Sequence, residues 1–225
     1  MKQNKTPEQR LKEMYQPAEL HPDLQEYYIV QNGIPMIKHP LVYSIFHFDI
    51  QNYIINKHYE WKKTELNKAL KEKKWSKYIF LHERPYRLQA FEKISIYLRP
   101  KQYWTLLGEI WIDSENIWQN LDQWTFFLTE GPKRDRQYFM SADDRKEFAK
   151  LPDTFKVYRG YIPRKNKGGY SYTLSKDKAQ WFANRFHKNG QVIERTVKKS
   201  DVFAYLNGRN EQEVIIINEL YNKMN

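Results

Sequence analysis

Five polar residues in the last third of the chain stand where an extended, mostly apolar pattern would otherwise place hydrocarbon: Arg159, Thr173, Ser175, Glu211 and Glu213. Arg159 interrupts the inward face of one alternating segment, Thr173 and Ser175 end a second, and Glu211 and Glu213 open a third. Two positions apart on an extended chain, the glutamates share a face. An arginine fork stays charged and grips a phosphate group bidentately. A desolvated carboxylate stabilises positive charge developing in a transition state, usually the largest catalytic contribution. Each feature also has a plain structural reading: an edge arginine, a helix cap at Ser175, a solvated hairpin end at the glutamates.

Taken in this order the residues resemble the R-S-E class of mono-ADP-ribosyltransferases, which includes the cholera-like and clostridial binary-toxin enzyme components. Tyr158-Arg159-Gly160 matches the first motif, and Tyr172-Thr173-Leu174-Ser175 the aromatic-S/T-x-S motif. A helix carrying Ala179-x-x-Phe182-Ala183 follows, and Glu211-Gln212-Glu213-Val214-Ile215 is the third motif, preceded by a turn-turn loop at about Ala204–Asn210. Thr173 stands where the family usually has serine, which keeps the hydroxyl. The likeness covers roughly residues 150–217.

The resemblance implies the ADP-ribosyltransferase fold, two packed and mainly antiparallel sheets forming an NAD cleft. It implies NAD as the ADP-ribose donor, no metal, and cleavage of the nicotinamide–ribose bond through an oxocarbenium-like state. By the same likeness Arg159, Gly160, Tyr172, Thr173, Ser175 and Glu213 bind NAD. Glu213 bonds the ribose 2′-OH, Ser175 with Thr173 holds that carboxylate and braces the pocket, and Glu211 positions and helps deprotonate the acceptor. Tyr172 or Phe182 lines the nicotinamide site, with a core position the other reading for Phe182. Glutamate at 211 implies an arginine on a protein as acceptor, because a guanidinium pKa above about 12 calls for an anionic partner.

The elements that must position these residues read as α+β. Residues 1–22 form a polar arm, and Glu26–Ile55 fits neither helix nor strand cleanly. Lys57–Lys77 is helical, its eight lysines interspersed with Trp61, Leu66, Leu70 and Trp75, the aromatics expected to pack inward and the lysines to face water. Helices follow over Arg87–Leu98, stopped by Pro100, over Gln102–Ile112 with Trp104, Leu107 and Trp111 on one stripe, and from Ser114 as N-cap with Ile117, Trp118, Leu121, Trp124 and Leu128 inward. Ser141-Ala-Asp-Asp144 opens another helix running to Lys150. Beyond Leu151-Pro152 the period changes to that of strands over Phe155–Tyr161, Tyr170–Ser175, Gln191–Val197, Val202–Tyr205 and Glu211–Ile217, with one amphipathic helix at Asp177–His187. Residues 1–88 therefore read as a largely helical extension suited to target recognition. Residues 89–225 read as the transferase domain, with a helical layer over 89–150 and a strand-rich catalytic core over 151–225.

Composition narrows the function classes. The chain has 225 residues and 36 aromatics, enough for a sizeable core, since each aromatic hides roughly 150–250 Å². The absence of cysteine excludes disulfides, a thiol nucleophile and Cys-ligated metal. His47, His82 and His187 are scattered singles without metal-site spacing. No apolar run is long enough for a membrane helix, and the N-terminus lacks the apolar stretch of a signal peptide, so a cytoplasmic place of action is expected, as for a bacterial or phage effector or toxin. Net charge is +11, and residues 151–225 hold 14 Lys and Arg against 7 Asp and Glu. That field favours polyanions. It keeps two alternatives open, an ADP-ribosyltransferase acting on nucleic acid and a basic nucleic-acid-binding protein without catalysis. A non-catalytic module that binds a protein partner through residues 1–88 is a further reading.

Overall fold

The structure, a computed structural model, describes residues 6–14, 16–115, 117–163, 165–185 and 189–217. Phe186 and His187, the end of the helix expected over Asp177–His187, lie outside the described residues. The chain divides into two compact units, Met1–Ile96 and Tyr97–Asn225.

In the first unit, α1 (Pro7–Met14) and the single turn α2 (Pro22–Gln25) precede three strands, β1 (Tyr28–Gln31), β2 (Ile34–His39) and β3 (Val42–Ile45). They form an antiparallel meander in the order β1-β2-β3, within a segment expected to be largely helical. The turn between β1 and β2 is Asn32-Gly33, both with positive φ, the backbone that suits a tight hairpin and that these two residues adopt at least cost. Next come α3 (Asn52–Lys71), α4 (Trp75–Leu81) and α5 (Arg87–Ile94), the last ending in a 3-10 turn at Ser95–Tyr97. Leu24, Ile37, Leu41, Val42 and Tyr59 make one hydrophobic cluster of this unit, with Leu66 of the lysine-rich stretch packed against it.

Trp61 departs from the expected inward packing. It is 55% exposed and stacks on His58, and Leu70 is exposed as well, while Tyr59 and Ala69 supply the buried face of α3. Four of the eight lysines are in ion pairs: Lys62 with Glu83 at 2.6 Å, Lys63 with Asp23 and Lys74 with Glu72 at 2.7 Å each, and Lys77 with Glu65. Much of the basic run is thus charge-compensated.

The second unit opens with α6 (Pro100–Asp113), whose proline occupies the first helical position, where its missing N–H has no partner to lose. α7 (Leu121–Thr129) begins seven residues after the expected cap Ser114, which instead terminates α6, its hydroxyl donating to the Ile110 carbonyl. The polar residues between the two helices make the chain turn, with a 3-10 turn over Ile117–Asn120. α8 (Ala142–Lys150) starts at the expected Ser141–Asp144 capping box. Trp104, Trp111 and Trp124 are almost wholly buried, with Trp111 and Trp124 edge to face at 4.9 Å.

The strands and the last helix are β4 (Thr154–Tyr161), β5 (Ser171–Thr173), α9 (Lys176–Asn184), β6 (Gln191–Lys198), β7 (Ala204–Leu206) and β8 (Glu213–Ile215). They build one antiparallel sheet in the order β6-β4-β5-β8-β7. Among the described residues there are therefore two antiparallel sheets, one in each unit. Among the described residues the second unit holds this single sheet and not the stacked pair expected within 89–225. Val214 and Ile215 are fully buried, as their continuous apolar run anticipates for a strand covered on both faces.

Candidate active site

Glu213 is the first residue of β8, paired with Thr173 of β5 on one side and Leu206 of β7 on the other. Flanked by two strands, its side chain is only 6% exposed. Its Oε1 accepts from the Trp111 indole Nε1 at 3.1 Å, and the Ser171 hydroxyl on the neighbouring strand favours the charged form of the carboxyl group. Burial pushes the Glu213 pKa up; Ser171, Trp111 and the nearby Arg209 charge act in the opposite direction. Fixed donors aimed at a carboxyl group in a low-dielectric site are the arrangement that makes a carboxylate effective toward developing positive charge. Trp111→Phe removes one donor to the charged form. Its Glu213 carboxyl is expected to titrate higher than in the native chain, read by carbon-13 NMR; an unchanged or lower value would contradict the geometry.

Glu211 lies outside the strand. Gln212 has φ +49° and Asn210 φ +54°, so the segment is a turn, and the extended spacing expected to align Glu211 with Glu213 is broken. The carboxylates converge nonetheless, because Arg209 joins them: its Nη2 is 3.2 Å from Glu211 Oε2 and 3.9 Å from Glu213 Oε2. The turn is fixed from several sides. The Asn207 N–H donates to Asp144 Oδ1 at 2.8 Å, the Gln212 N–H to Asn207 Oδ1 at 3.1 Å, and the Thr173 hydroxyl to the Glu211 carbonyl at 2.7 Å. Lys178 of α9 bonds the Asn210 carbonyl. Arg209, Glu211 and Glu213, with Ile112, Leu206 and Gly208, line a shallow depression of about 10 Å³, room for about one water.

The serine assignments change. The hydroxyl that acts on the Glu213 carboxyl group is that of Ser171, two residues before the pair singled out in the sequence. Ser175 is the N-cap of α9, its Oγ accepting from the Lys178 N–H at 3.3 Å, while Thr173 accepts from the Ser175 N–H and anchors the Glu211 carbonyl. The two serines therefore separate by experiment. Ser175→Ala is expected to destabilise α9 by about 1 kcal/mol, the usual value of such a cap, seen as faster hydrogen exchange in its first turn, with the Glu213 titration unmoved. Ser171→Ala should raise the Glu213 pKa; the opposite pattern would restore Ser175 to the carboxylate.

Arg159 lies in β4, where Tyr158 pairs with Thr173. Since Thr173 pairs with Glu213, alternation puts Arg159 and Tyr172 on the face opposite Ser171, Thr173 and Glu213. The Arg159 guanidinium donates from Nη1 to the Ser171 carbonyl at 2.5 Å and from Nη2 to the Asn166 carbonyl at 2.8 Å. Its buried Nε has no partner among the described residues. Burial lowers its pKa, against the opposing influence of Tyr172 and Glu213. Gly169 gives it room, since a Cβ there would sit 2.1 Å from Nη2. Tyr172 is buried, its hydroxyl accepting from Arg195 Nη1 at 3.1 Å.

Gly160, expected to contact NAD, lies against α9, where a Cβ would stand 2.1 Å from the Ala179 carbonyl oxygen. The sequence patterns did not single out Ser171, Trp111 and Arg209 as site residues. Trp111 and Arg209 reach the carboxylates only through the tertiary fold; Ser171 had a local signal, two residues before Thr173 on the same strand. Among the described residues no His, Asp and Glu cluster able to hold a metal ion forms, and no helix is long and apolar enough to cross a membrane. No protein family, curated protein or solved structure matches this chain.

Proposed function

We propose that the chain is a mono-ADP-ribosyltransferase with NAD as donor and protein arginine as acceptor. The observation that carries this reading is a guanidinium, that of Arg209, seated between Glu211 and the buried Glu213. A pair of carboxylates that holds one guanidinium suits another of the same chemistry. Arg159, whose buried Nε–H has no partner among the described residues, lies on the sheet face opposite Glu213 and takes no part in this reading of the donor site. Bound NAD supplies the glycosidic bond that is broken. Glu213 then faces the ribose and stabilises its oxocarbenium character, and Glu211 orients the acceptor and takes its proton. Small-molecule pockets run to roughly 300–1,000 Å³, so the donor requires Arg209 to yield its contact with Glu213.

The test uses labelled NAD, purified protein and a bacterial lysate, followed by protease or nuclease digestion. Protease-sensitive label on arginine, with nicotinamide released, is the expected result. Nuclease-sensitive label would transfer the reading to a nucleic-acid acceptor. Neither label nor nicotinamide in any sample would remove it.

A further inference from the structure

Arg209 belongs to the same short turn as Glu211, and the geometry of that turn is unusual for a simple surface ion pair. Its closer contact, 3.2 Å, is with Glu211, the group assigned to the acceptor, and its longer one, 3.9 Å, is with Glu213, the group assigned to the ribose. Two left-handed residues, Asn210 and Gln212, bracket Glu211, and a left-handed backbone is unfavourable for glutamine. Hydrogen bonds accepted by Asp144 and Asn207 and donated by Thr173 and Lys178 hold the turn in this form. The chain thus carries its own guanidinium at the position an acceptor guanidinium would take. When a ribose 2′-OH displaces Arg209 from Glu213, the remaining bond to Glu211 keeps a guanidinium nitrogen beside the reacting carbon.

We propose that Arg209 is an internal acceptor: it fills the guanidinium site of the free protein and is itself ADP-ribosylated. The proposal rests on the transferase reading above. In the step, the bond from ribose C1′ to the nicotinamide nitrogen breaks and its electron pair leaves with nicotinamide, discharging the pyridinium. A guanidinium nitrogen of Arg209 forms the new bond to C1′, and the proton it gives up passes to Glu211 and then to water. No oxidant or reductant is needed.

Two measurements test it. The full chain is incubated with NAD alone and mapped by peptide mass spectrometry, beside Arg209→Lys and beside native protein supplied with agmatine as a free guanidinium acceptor. One ADP-ribose unit on the peptide containing Arg209, absent from the lysine variant, is expected. Nicotinamide release and labelled agmatine with Arg209 unmodified would overturn the inference and leave the transferase reading intact. No nicotinamide release in any sample would overturn both. The second measurement needs no NAD: agmatine is titrated into native protein and Arg209→Ala, followed at the Glu211 and Glu213 carboxyl carbons by NMR. Removing an internal competitor should tighten agmatine binding by about tenfold or more. Equal affinities would mean that Arg209 does not occupy the site.

Discussion

Glu213→Gln is expected to lower NAD cleavage by at least about 10²–10³-fold, the scale on which loss of one preorganised electrostatic group is felt, while leaving the protein as stable or more stable at pH 8. The first half follows from charge. Glutamine keeps the shape and an oxygen that can still accept from Trp111 Nε1, but it cannot offset an oxocarbenium ion. The second half follows from burial, which raises the Glu213 pKa above its ordinary 4.5. A carboxyl whose folded pKa is raised binds its proton more tightly in the native state than in the unfolded one. Its contribution to stability is fully present below the unfolded pKa and is lost as pH rises through the folded pKa. Above its folded pKa the native chain therefore carries the penalty of a buried charge, and the neutral glutamine does not. The difference in Tm between variant and native should be zero or positive above the folded pKa and should move against the variant as pH falls from that value toward 4.5, below which it stays constant. A glutamine variant that retained cleavage would remove Glu213 from the chemistry. One that unfolded readily at pH 8 would mean that the Arg209 contact outweighs desolvation.

The C-terminal elements were readable because their signals are local. Alternation over Phe155–Tyr161 and Gln191–Val197 gave β4 and β6, and the stripe through Ala179 and Ala183 gave α9. Ser175 as a helix cap was legible from its place before Lys176-Asp177. The meander at Tyr28–Ile45 was not assigned, although Asn32-Gly33 between apolar runs is a strong hairpin signal; the mixed aromatic and aliphatic residues around it obscured the period. Ser114 has the side chain of an N-cap, but the same hydroxyl closes a preceding helix when the chain turns there.

The site was legible in part. Side-chain alternation identified Glu213 as a charge in an apolar strand and Arg159 as a charge on an inward face. It failed at Glu211, since alternation holds only while the backbone stays extended, and Gln212 does not. Trp111 lies 102 positions from the carboxylate it bonds, and a buried tryptophan on a helical stripe reads as core until its N–H finds an acceptor. Arg209 read as a turn residue. Its role depends on two carboxylates brought within 4 Å of one nitrogen by bonds from three other segments.

Gly160→Ala is expected to have the largest effect on the fold, a loss of about 3 kcal/mol or more, at or above the upper end of overpacking effects. The backbone conformation of Gly160 is ordinary, so the reason is space alone. A methyl group there would stand 2.1 Å from the Ala179 carbonyl oxygen and 2.5 Å from the Ala183 nitrogen. Both are backbone atoms of α9, so no rotamer change relieves the clash and the helix must move off β4 as a body. Lys178 would then lose its bond to the Asn210 carbonyl, and the support of the Arg209–Glu211 turn would loosen with it. Gly169→Ala is the contrasting case. Its neighbour is the tip of the Arg159 side chain, which can swing away, so the change should disturb the arginine and its carbonyl contacts while costing little stability. Native-state hydrogen exchange separates the two. Amides of β4 and α9 should exchange about a hundredfold faster in Gly160→Ala, as 1.4 kcal/mol per tenfold requires, and near the native rate in Gly169→Ala. Equal exchange in both variants would mean that α9 does not rest on β4 through Gly160, and the positioning of the carboxylate turn by that helix would have to be abandoned.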